Sequence, residues 1–323
     1  MDGWTRAEVG VLVRAVSNAP SVHDTMPWVL ETRDHRAELY ENAARSLPHH
    51  DPTGRDRLIS CGAALANLRL AVRSLGWRHD VELYPEPRAD LVARITTTAR
   101  QPATADELAT YWSMFRRRSY RQPFATTPVT ADEVAGVIAA GSDAGVRLRR
   151  VDPAECRPLA TLLCYAADVL RADKGYQREL DAWTRRYTRH VGTNGEQVRA
   201  PERDTLPWAG LVRRGTRLPD VPTLTRRLVA ETLFLVVSDT DTATDHVRSG
   251  EAMQRAWLTA VTGDLAGAVL TQALHLTEVR SGVIERLGLD GYPQVMLRIG
   301  RPKAAVKARQ RDVRERLHAP ARA

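Results

Sequence analysis

The feature that most constrains the fold is an internal repeat that begins at two matching helix starts. Residues 5–9 and 130–134 both read Thr-x-x-Glu-Val, in which threonine and glutamate have the spacing of a capping box. At this offset of 125, six of the fifteen positions from residue 5 to residue 19 are identical. The repeat predicts two copies of one supersecondary unit that bury their apolar faces together.

A second match connects two long helical patterns in the same order. At an offset of 188, three residues of the first pattern recur in the second: Gly62, Ala64 and Leu70 correspond to Gly250, Ala252 and Leu258. Because the offsets 125 and 188 differ by 63, we expect 63 additional residues in the second copy. We predict a first half at residues 1–103 and a second half at 104–323, with the additional residues as a lid insertion within 153–222. This lid would make apolar contacts through Trp183, Tyr187 and Trp208, or these residues belong to ordinary core packing.

The two copies differ where a site is expected. The first carries a loop at residues 17–28 that the second lacks, because Gly145 leads almost directly into a strand. The second is preceded by RRRSYR at residues 116–121, which has no counterpart in the first. Four arginines and a hydroxyl suit a phosphate dianion, although a solvated basic helix end explains the same residues. One composite anion site per chain follows.

Hydrophobic periodicity and turn signals predict the main elements. The expected helices cover residues 5–16, 56–75, 104–116, 130–140 and 159–170, and the expected strands cover 29–32, 37–40, 81–84, 91–96 and 146–148. Leu108, Trp112 and Phe115 fall on one face of the third helix, so we predict that this helix is amphipathic and ends at the arginines.

Composition narrows the class of partner. The chain has 323 residues, 43% of them hydrophobic, and a net charge of +8 with a pI near 9.8, which favours an anionic partner. No 18-residue apolar run and no signal-peptide layout occur, so a cytoplasmic protein is expected. Cys61, Cys156 and Cys164 have no metal-type spacing and are expected to be reduced.

Other chemical motifs are absent or weak. The sequence has no Gly-x-Ser-x-Gly elbow, no Gly-x-Gly-x-x-Gly fingerprint, no Walker loop and no His-Glu-x-x-His. His49, His50 and Asp51 could ligate a metal ion, but no further ligand stands at a helpful spacing, so no metal site is predicted.

Four segments together resemble the nitroreductase superfamily, and within it the actinobacterial Acg group of FMN-binding proteins. They are APSVHDTMPW at 19–28, ISCGAALANL at 59–68, RRSYRQPF at 117–124 and GEAMQRAWL at 250–258. The resemblance covers nearly the whole chain. It implies an α+β fold in which a mixed sheet is flanked by helices, with FMN at an interface that the duplicated chain forms within itself.

The resemblance also implies the positions of the FMN contacts. Arg117 and Ser119 would hold the phosphate and ribityl chain beside Arg118, and Arg121 would lie towards the pyrimidine edge of the ring. A loop over the flavin face and backbone contacts near N5 would be formed by Pro20, Ser21, Val22 and His23, and by Val269, Leu270, Thr271 and Gln272. The resemblance also implies a terminal strand at residues 293–300. A phosphate-directed arginine after this strand would be Arg311 or Arg309.

Two positions of the loop depart from the group. Asp24 and Met26 stand where asparagine and glutamine are common. The carboxylate could repel a nucleotide phosphate, orient a cationic substrate or act as a base, or it is a solvated loop residue. His23 could shuttle a proton beside the ring, or simply pack in place.

The predicted function is that of an FMN-dependent oxidoreductase that transfers hydride through flavin N5 to or from a small organic substrate, with NAD(P)H as a candidate electron donor. No catalytic side chain is assigned, because the flavin carries the hydride chemistry. The alternative is an FMN-binding or storage protein with a lid and little turnover. A nucleic-acid complex would show steep salt dependence, and neither a nucleic-acid nor a membrane partner is expected. The chain should be a pseudo-dimeric monomer or a homodimer.

Overall fold

The computed structural model describes residues 3–85, 88–190 and 212–303, without the side chains of residues 184–190. Its first half is built from α1 (Arg6–Ser17), β1 (Trp28–Arg33), β2 (Arg36–Glu41), α2 (Arg55–Ser74), β3 (Trp77–Leu83) and β4 (Leu91–Arg100). The helix α3 (Ala105–Arg116) then leads into the second half. Capping boxes start α1 at Thr5 and α3 at Thr104, as predicted from the sequence.

The second half repeats this order and adds helices to it. Its elements are α4 (Ala131–Ala140), β5 (Val146–Arg150), α5 (Cys156–Ala172), α6 (Lys174–His190), α7 (Val221–Val229), β6 (Thr232–Ser238), α8 (Ala243–Thr262), β7 (Ala266–Leu270), α9 (Thr277–Arg286) and β8 (Tyr292–Gly300). The sheets have equivalent orders, β1-β2-β4-β3 and β5-β6-β8-β7. Their strands pair antiparallel, and a parallel bridge joins Ser119 to Gly267 beside β7. The predicted α+β class is confirmed.

The helices α2 and α8 cross at the centre of the molecule, and their bounds differ by the offset of 188 seen in the sequence. A Cβ atom on Gly62 would lie 1.9 Å from the carbonyl oxygen of Val247, and one on Gly250 would lie 2.0 Å from that of Ile59. Val247 and Ile59 are themselves 188 residues apart. Only glycine therefore permits this approach, and the reciprocal contacts show that the alignment of the two helices is correct.

Two side-chain contacts repeat across the halves in the same way. Asn67 Nδ2 donates to the carbonyl oxygen of Ala15 at 2.9 Å, and Arg255 Nε donates to that of Ala140 at 3.0 Å. The donors are 188 residues apart and the acceptors 125. This pair of equivalent hydrogen bonds therefore agrees with both offsets of the repeat. One bond joins α2 to α1, and the other joins α8 to α4.

The sheets differ in how they are covered. The burial of β1 alternates along the strand, so one face of the first sheet meets solvent, whereas every residue of β6 is buried. One face of the second sheet packs in the central core through residues such as Phe234 and Val236, and the other packs against α5, α7 and α9 through Leu235 and Val237. A sheet covered on both faces needs additional helices.

Helices α5 and α7 lie with α6 between β5 and β6, where the first half has only the turn Asp34 and His35 between β1 and β2. Helix α9 lies between β7 and β8. Helix α6 was not predicted from the sequence. The role of this insertion as a lid stays a prediction, since residues 191–211, with Trp208, and the side chain of Tyr187 lie outside what the structure describes. No helix in the described ranges is long and apolar enough to cross a membrane.

The prediction for α3 was correct in position and wrong in orientation. Leu108 is 37% exposed and Trp112 is 62% exposed, whereas Tyr111 and Met114 are buried. The helix packs against both α2 and α8, so the positions facing that groove are buried rather than the most apolar stripe. Apolar spacing alone does not identify the buried face of a short helix with aromatic residues on several sides.

Candidate functional site

The arginine segment before the second half meets the loop of the first half. Arg117 Nη2 donates to the carbonyl oxygen of Asn18 at 3.2 Å. Further along, the charge of Arg121 acts on the ring of His23. The structure therefore brings together, across the boundary between the halves, the two segments that the sequence suggested would share a site.

The backbone of the arginine segment is fixed against the second sheet. Ser119 bridges Gly267 in parallel, and the amide of Tyr120 donates to the carbonyl oxygen of Gly267 at 2.8 Å. Trp257 packs so closely on Gly267 that a Cβ atom there would lie 2.9 Å from its Nε1. Val269 and Leu270 end β7, and Thr271 and Gln272 follow it. All four residues therefore lie shortly after Gly267, the strand residue that pairs with Ser119.

Arg298 completes this support, and the sequence reasoning missed it. Its side chain, 0% exposed, donates from Nη1 to the carbonyl oxygen of Tyr120 at 2.9 Å and from Nη2 to that of Gln122 at 3.2 Å. It also pairs with Glu231, with a distance of 2.6 Å from Nη2 to Oε1. An arginine within the apolar run at residues 295–299 of β8 was the available signal, because a buried charge must be paired.

The arginines of the segment lie at different depths. Arg117 is buried, with its guanidinium 4.4 Å from the ring centroid of Trp257. Arg118 is half-buried and donates from Nη1 to the carbonyl oxygen of Arg117 at 2.5 Å. Ser119 and Arg121 are exposed. The cationic groups thus extend from the core to the surface over five residues.

The loop of the first half has an unusual backbone. His23, Asp24 and Met26 have φ angles of 50°, 58° and 46°, in the left-handed region that side chains other than glycine rarely adopt. Ser21 Oγ accepts a hydrogen bond from the amide of Met26 at 3.0 Å and closes the loop, and Pro20 is half-buried. Aspartate tolerates this conformation about as well as asparagine, so Asp24 preserves the backbone geometry despite its charge. Such strain persists where the surroundings over-determine it, often at functional sites.

A chain of histidines extends inward from this loop. His23 Nε2 lies 3.2 Å from His50 Nδ1, and the ring centroids of His50 and His275 are 5.1 Å apart. His275 Nε2 lies 3.3 Å from Asp56 Oδ2. Burial, together with the charges of Arg121 and His275, lowers the pKa of His23 to about 4, and burial also lowers the pKa of His50. His23 is therefore neutral near pH 7, which favours packing over proton transfer by an imidazolium.

The carboxylates of Asp51, which precedes α2, and of Asp56, in the first turn of α2, have different environments. Burial raises the pKa of Asp51, with a further contribution from the charge of Asp56. Burial opposes ionisation of Asp56 as well, but the charges of His275 and Arg55 outweigh it and hold the pKa of Asp56 below its ordinary range. Val22 lines a cavity of about 10 Å³ with both carboxylates, which is room for one water molecule.

The residues after β7 reach the same place. Leu270 is buried in the core of the second half, Val269 is half-buried, and Thr271 lies beside Asp56. Gln272 Oε1 is buried and has no hydrogen-bond partner within the described residues. Arg309 and Arg311 lie outside the described ranges.

Helix α6 of the insertion covers the loop before α2. Glu179 accepts hydrogen bonds from the amides of His49 and His50 at 3.1 and 2.8 Å. Tyr176 stacks on the ring of His50, with centroids 5.2 Å apart. The sequence offered His49 to Asp51 no further metal ligand, whereas the fold brings Asp56 and His275 to His50.

Comparison with known proteins identifies the family of this chain. No family model matches the chain. A Mycobacterium tuberculosis protein named "Putative NAD(P)H nitroreductase" is 30% identical over 293 residues, covering 90% of this chain and 83% of that protein. Another, "Putative NAD(P)H nitroreductase acg", is 28% identical over 299 residues, covering 89% and 87%.

Solved structures of nitroreductases are more distant. An FMN-bound nitroreductase from Bacteroides fragilis has 13% identity and a TM-score of 0.40, covering 63% of this chain and 95% of that one. The FMN-dependent nitroreductase NfnB from Mycobacterium smegmatis, in complex with NADPH, has 14% identity and a TM-score of 0.41, covering 65% and 96%. The similarity to the mycobacterial relatives along most of both chains is decisive, and the chain belongs to the nitroreductase superfamily, in its Acg-like group.

Proposed function

We propose that the protein is an FMN-dependent oxidoreductase that acts on a small organic substrate with NAD(P)H as electron donor. The observation that carries this proposal is the contact between Arg117 and the carbonyl oxygen of Asn18, because it joins the arginine segment to the strained loop. The mycobacterial relatives carry the name "Putative NAD(P)H nitroreductase", which supports the same reaction class.

The residues of the site fit a flavin mononucleotide. Arg117, Arg118 and Arg121 supply positive charge of the kind that a phosphate monoester requires. Gln272 offers a buried acceptor without a partner in the described part of the chain, which suits a ligand that carries N–H donors. Leu270 is committed to the core through its side chain, so this segment would contact a ligand through its backbone.

Each group then has a role. Arg117 and Ser119 would hold the phosphate and ribityl chain, with Arg118 beside them, and Arg309 or Arg311 would add charge there. When bound, FMN supplies the hydride-accepting and hydride-donating chemistry. Arg121 would provide a cation towards the pyrimidine edge, where it would stabilise negative charge.

Two further segments enclose the ring. The loop of Pro20, Ser21, Val22 and His23 would cover one face and exclude water. Residues 269–272 would orient the ring through their backbone. A neutral His23 packs without adding a charge.

The packing of α6 on the loop before α2 favours a second candidate function. Glu179 and Tyr176 join the insertion to His50, so an insertion closed over the site would restrict access. A flavin-storage protein of this kind would bind FMN tightly and turn over slowly.

Anaerobic absorption spectroscopy tests both candidates. The oxidoreductase predicts a flavin band that bleaches rapidly with NADH or NADPH, whereas the storage protein predicts a band that bleaches slowly. The variant Arg121→Gln should weaken FMN binding about tenfold, because it removes one charge-assisted contact.

The matched control for that variant is Arg116→Gln, which removes the same charge at the end of α3, where Arg116 pairs with Asp264. It should bind FMN as the wild type does. Absence of a flavin band after incubation with FMN would contradict both candidate functions.

A further inference from the structure

Three buried ligand atoms face one another at the inner end of the histidine chain. The residues are His50, Asp56 and His275, and each offers one ligand atom within 4.8 Å of the others. The buried atoms are His50 Nε2, Asp56 Oδ2 and His275 Nε2. His50 is 1% exposed, and the side chains of Asp56 and His275 are 1% and 6% exposed. No hydrogen bond of ordinary geometry satisfies any of the three atoms among the described residues, although Thr271 and His275 both lie close to the Asp56 carboxylate. Buried polar atoms without partners are rare and costly, so their convergence requires an explanation.

A simple ion pair between His275 and Asp56 does not satisfy these atoms. Their distance is 3.3 Å, but the contact lacks the alignment of a hydrogen bond, and His50 Nε2 is left over. A shared ion satisfies all three. Nitrogen and oxygen ligands lie about 2.0–2.2 Å from Zn²⁺, so two of them at a tetrahedral angle are about 3.3 Å apart.

We propose that His50, Asp56 and His275 bind one divalent transition-metal ion, for which Zn²⁺ is the fitting probe. Two imidazoles and a carboxylate are ligands that first-row transition ions accept, whereas Mg²⁺ and Ca²⁺ take oxygen ligands. Three protein ligands leave a coordination position for water or a small anion.

Neighbouring groups orient two of the three ligands. His50 Nδ1 lies 3.2 Å from His23 Nε2, so a hydrogen bond between them directs Nε2 of His50 to the ion. Arg55 Nη2 donates to Asp56 Oδ1 at 3.1 Å and leaves Oδ2 for the ion. The carboxylate of Asp51, which accepts from the amide of Asp56, adds negative charge that offsets the guanidinium.

The proposed site differs from the proposed flavin site and does not depend on it. Its ligands come from the loop before α2, the first turn of α2 and the turn Gln272–His275 after β7. Bound metal would therefore join the first half to the second, directly behind the loop that carries His23.

Equilibrium dialysis of the chelator-treated full-length protein against Zn²⁺, with metal content measured by mass spectrometry, tests the proposal. The expected result is one Zn²⁺ per chain. The variants His50→Gln and His275→Gln should each bind Zn²⁺ at least about 100-fold more weakly, since each lacks one of three ligands. The control is His79→Gln in β3, which also has a buried ring nitrogen without a partner in the described residues but lies outside the cluster.

Melting curves complete the experiment. Zn²⁺ should raise the Tm of the wild type and of the His79 variant and leave the Tm of the ligand variants unchanged. Circular dichroism without metal shows whether each variant is folded. The proposal is overturned if the wild type binds no Zn²⁺, if both ligand variants bind it as the wild type does, or if Mg²⁺ binds more tightly than Zn²⁺.

Discussion

The two halves of the chain share a framework but differ in what covers it. In both, a four-stranded sheet of the same order packs on a 20-residue helix, and the two helices meet at Gly62 and Gly250. The first half leaves one sheet face in solvent and contributes a strained loop. The second half covers both faces of its sheet and contributes the arginine segment. The two copies have kept the helix crossing, and they differ in the loop and the arginine segment, where a ligand would bind.

The most severe test of the shared framework is substitution of the crossing glycines. Gly62→Ala and Gly250→Ala should each destabilise the fold by more than about 5 kcal/mol, because the new methyl group meets a backbone carbonyl that cannot move away. Equivalent positions should give equal losses, measured by thermal melting.

Gly10→Ala and Gly136→Ala are matched controls for this test. Both glycines lie inside helices with no atom within 4 Å of a new Cβ, so alanine should stabilise each half by about 0.5–1 kcal/mol. A Gly62 variant that melts like the wild type would contradict the close approach of α2 and α8.

A second test compares an arginine of each sheet. Arg298→Ala should cost about 3–5 kcal/mol, because it leaves Glu231 buried without its partner. Arg94→Ala, which breaks a more exposed pair with Glu38, should cost about 1 kcal/mol or less. FMN affinity should fall only for Arg298→Ala, since Arg298 holds Tyr120 and Gln122. Equal losses of stability from chemical unfolding would show that the two sheets do not differ in burial as described.

Asn67 and Arg255 offer a finer comparison. Asn67→Ala should cost about 2–3 kcal/mol, because Asn67 is fully buried and bonds both Ala15 and Gln254. Arg255→Ala removes the equivalent bond to Ala140 at a partly exposed position and should cost about 1 kcal/mol. Urea unfolding of both variants measures the difference, and the reverse order would contradict the assigned burial.

The smallest effect expected is a pH dependence of the ion pair between Arg73 of α2 and Glu107 of α3, which joins the two halves. A hydrogen bond from Arg73, more than the opposing effect of burial, lowers the pKa of Glu107 to about 2. The pair therefore stabilises the fold above the ordinary pKa of glutamate and ceases to do so as the pH falls towards 2. Glu107→Gln should lose about 1 kcal/mol or less at pH 6, and the loss should shrink at pH 3. A loss that grows on acidification would contradict the sign.

The sequence predicted the elements whose signals are local. Thr5, Thr104 and Thr130 begin helices through capping boxes, and the offset of 188 aligned α2 with α8 correctly. Helix α6 was missed; within residues 174–183, whose side chains the structure describes, the large apolar residues that are buried are Tyr176 and Leu180. Strand β6 was also missed. Its sequence is a continuous apolar run, which lacks the alternation of apolar and polar residues that indicates a strand.

The site was predictable only as far as its segments are contiguous in sequence. Short motifs indicated the loop and the arginine segment, but not their contact through Asn18. Asp56 and His275 are 219 residues apart, so no spacing rule connects them to His50. Arg298 supports the arginine segment from a strand that follows it by more than half of the chain.

Native mass spectrometry of the protein reconstituted with FMN tests the composite site most directly. A single chain that carries one FMN, with the flavin lost in Arg117→Ala, is the predicted result, because both halves of one chain would build one site. Contradictory results would be one flavin shared by two chains, two flavins on one chain, or no flavin at all.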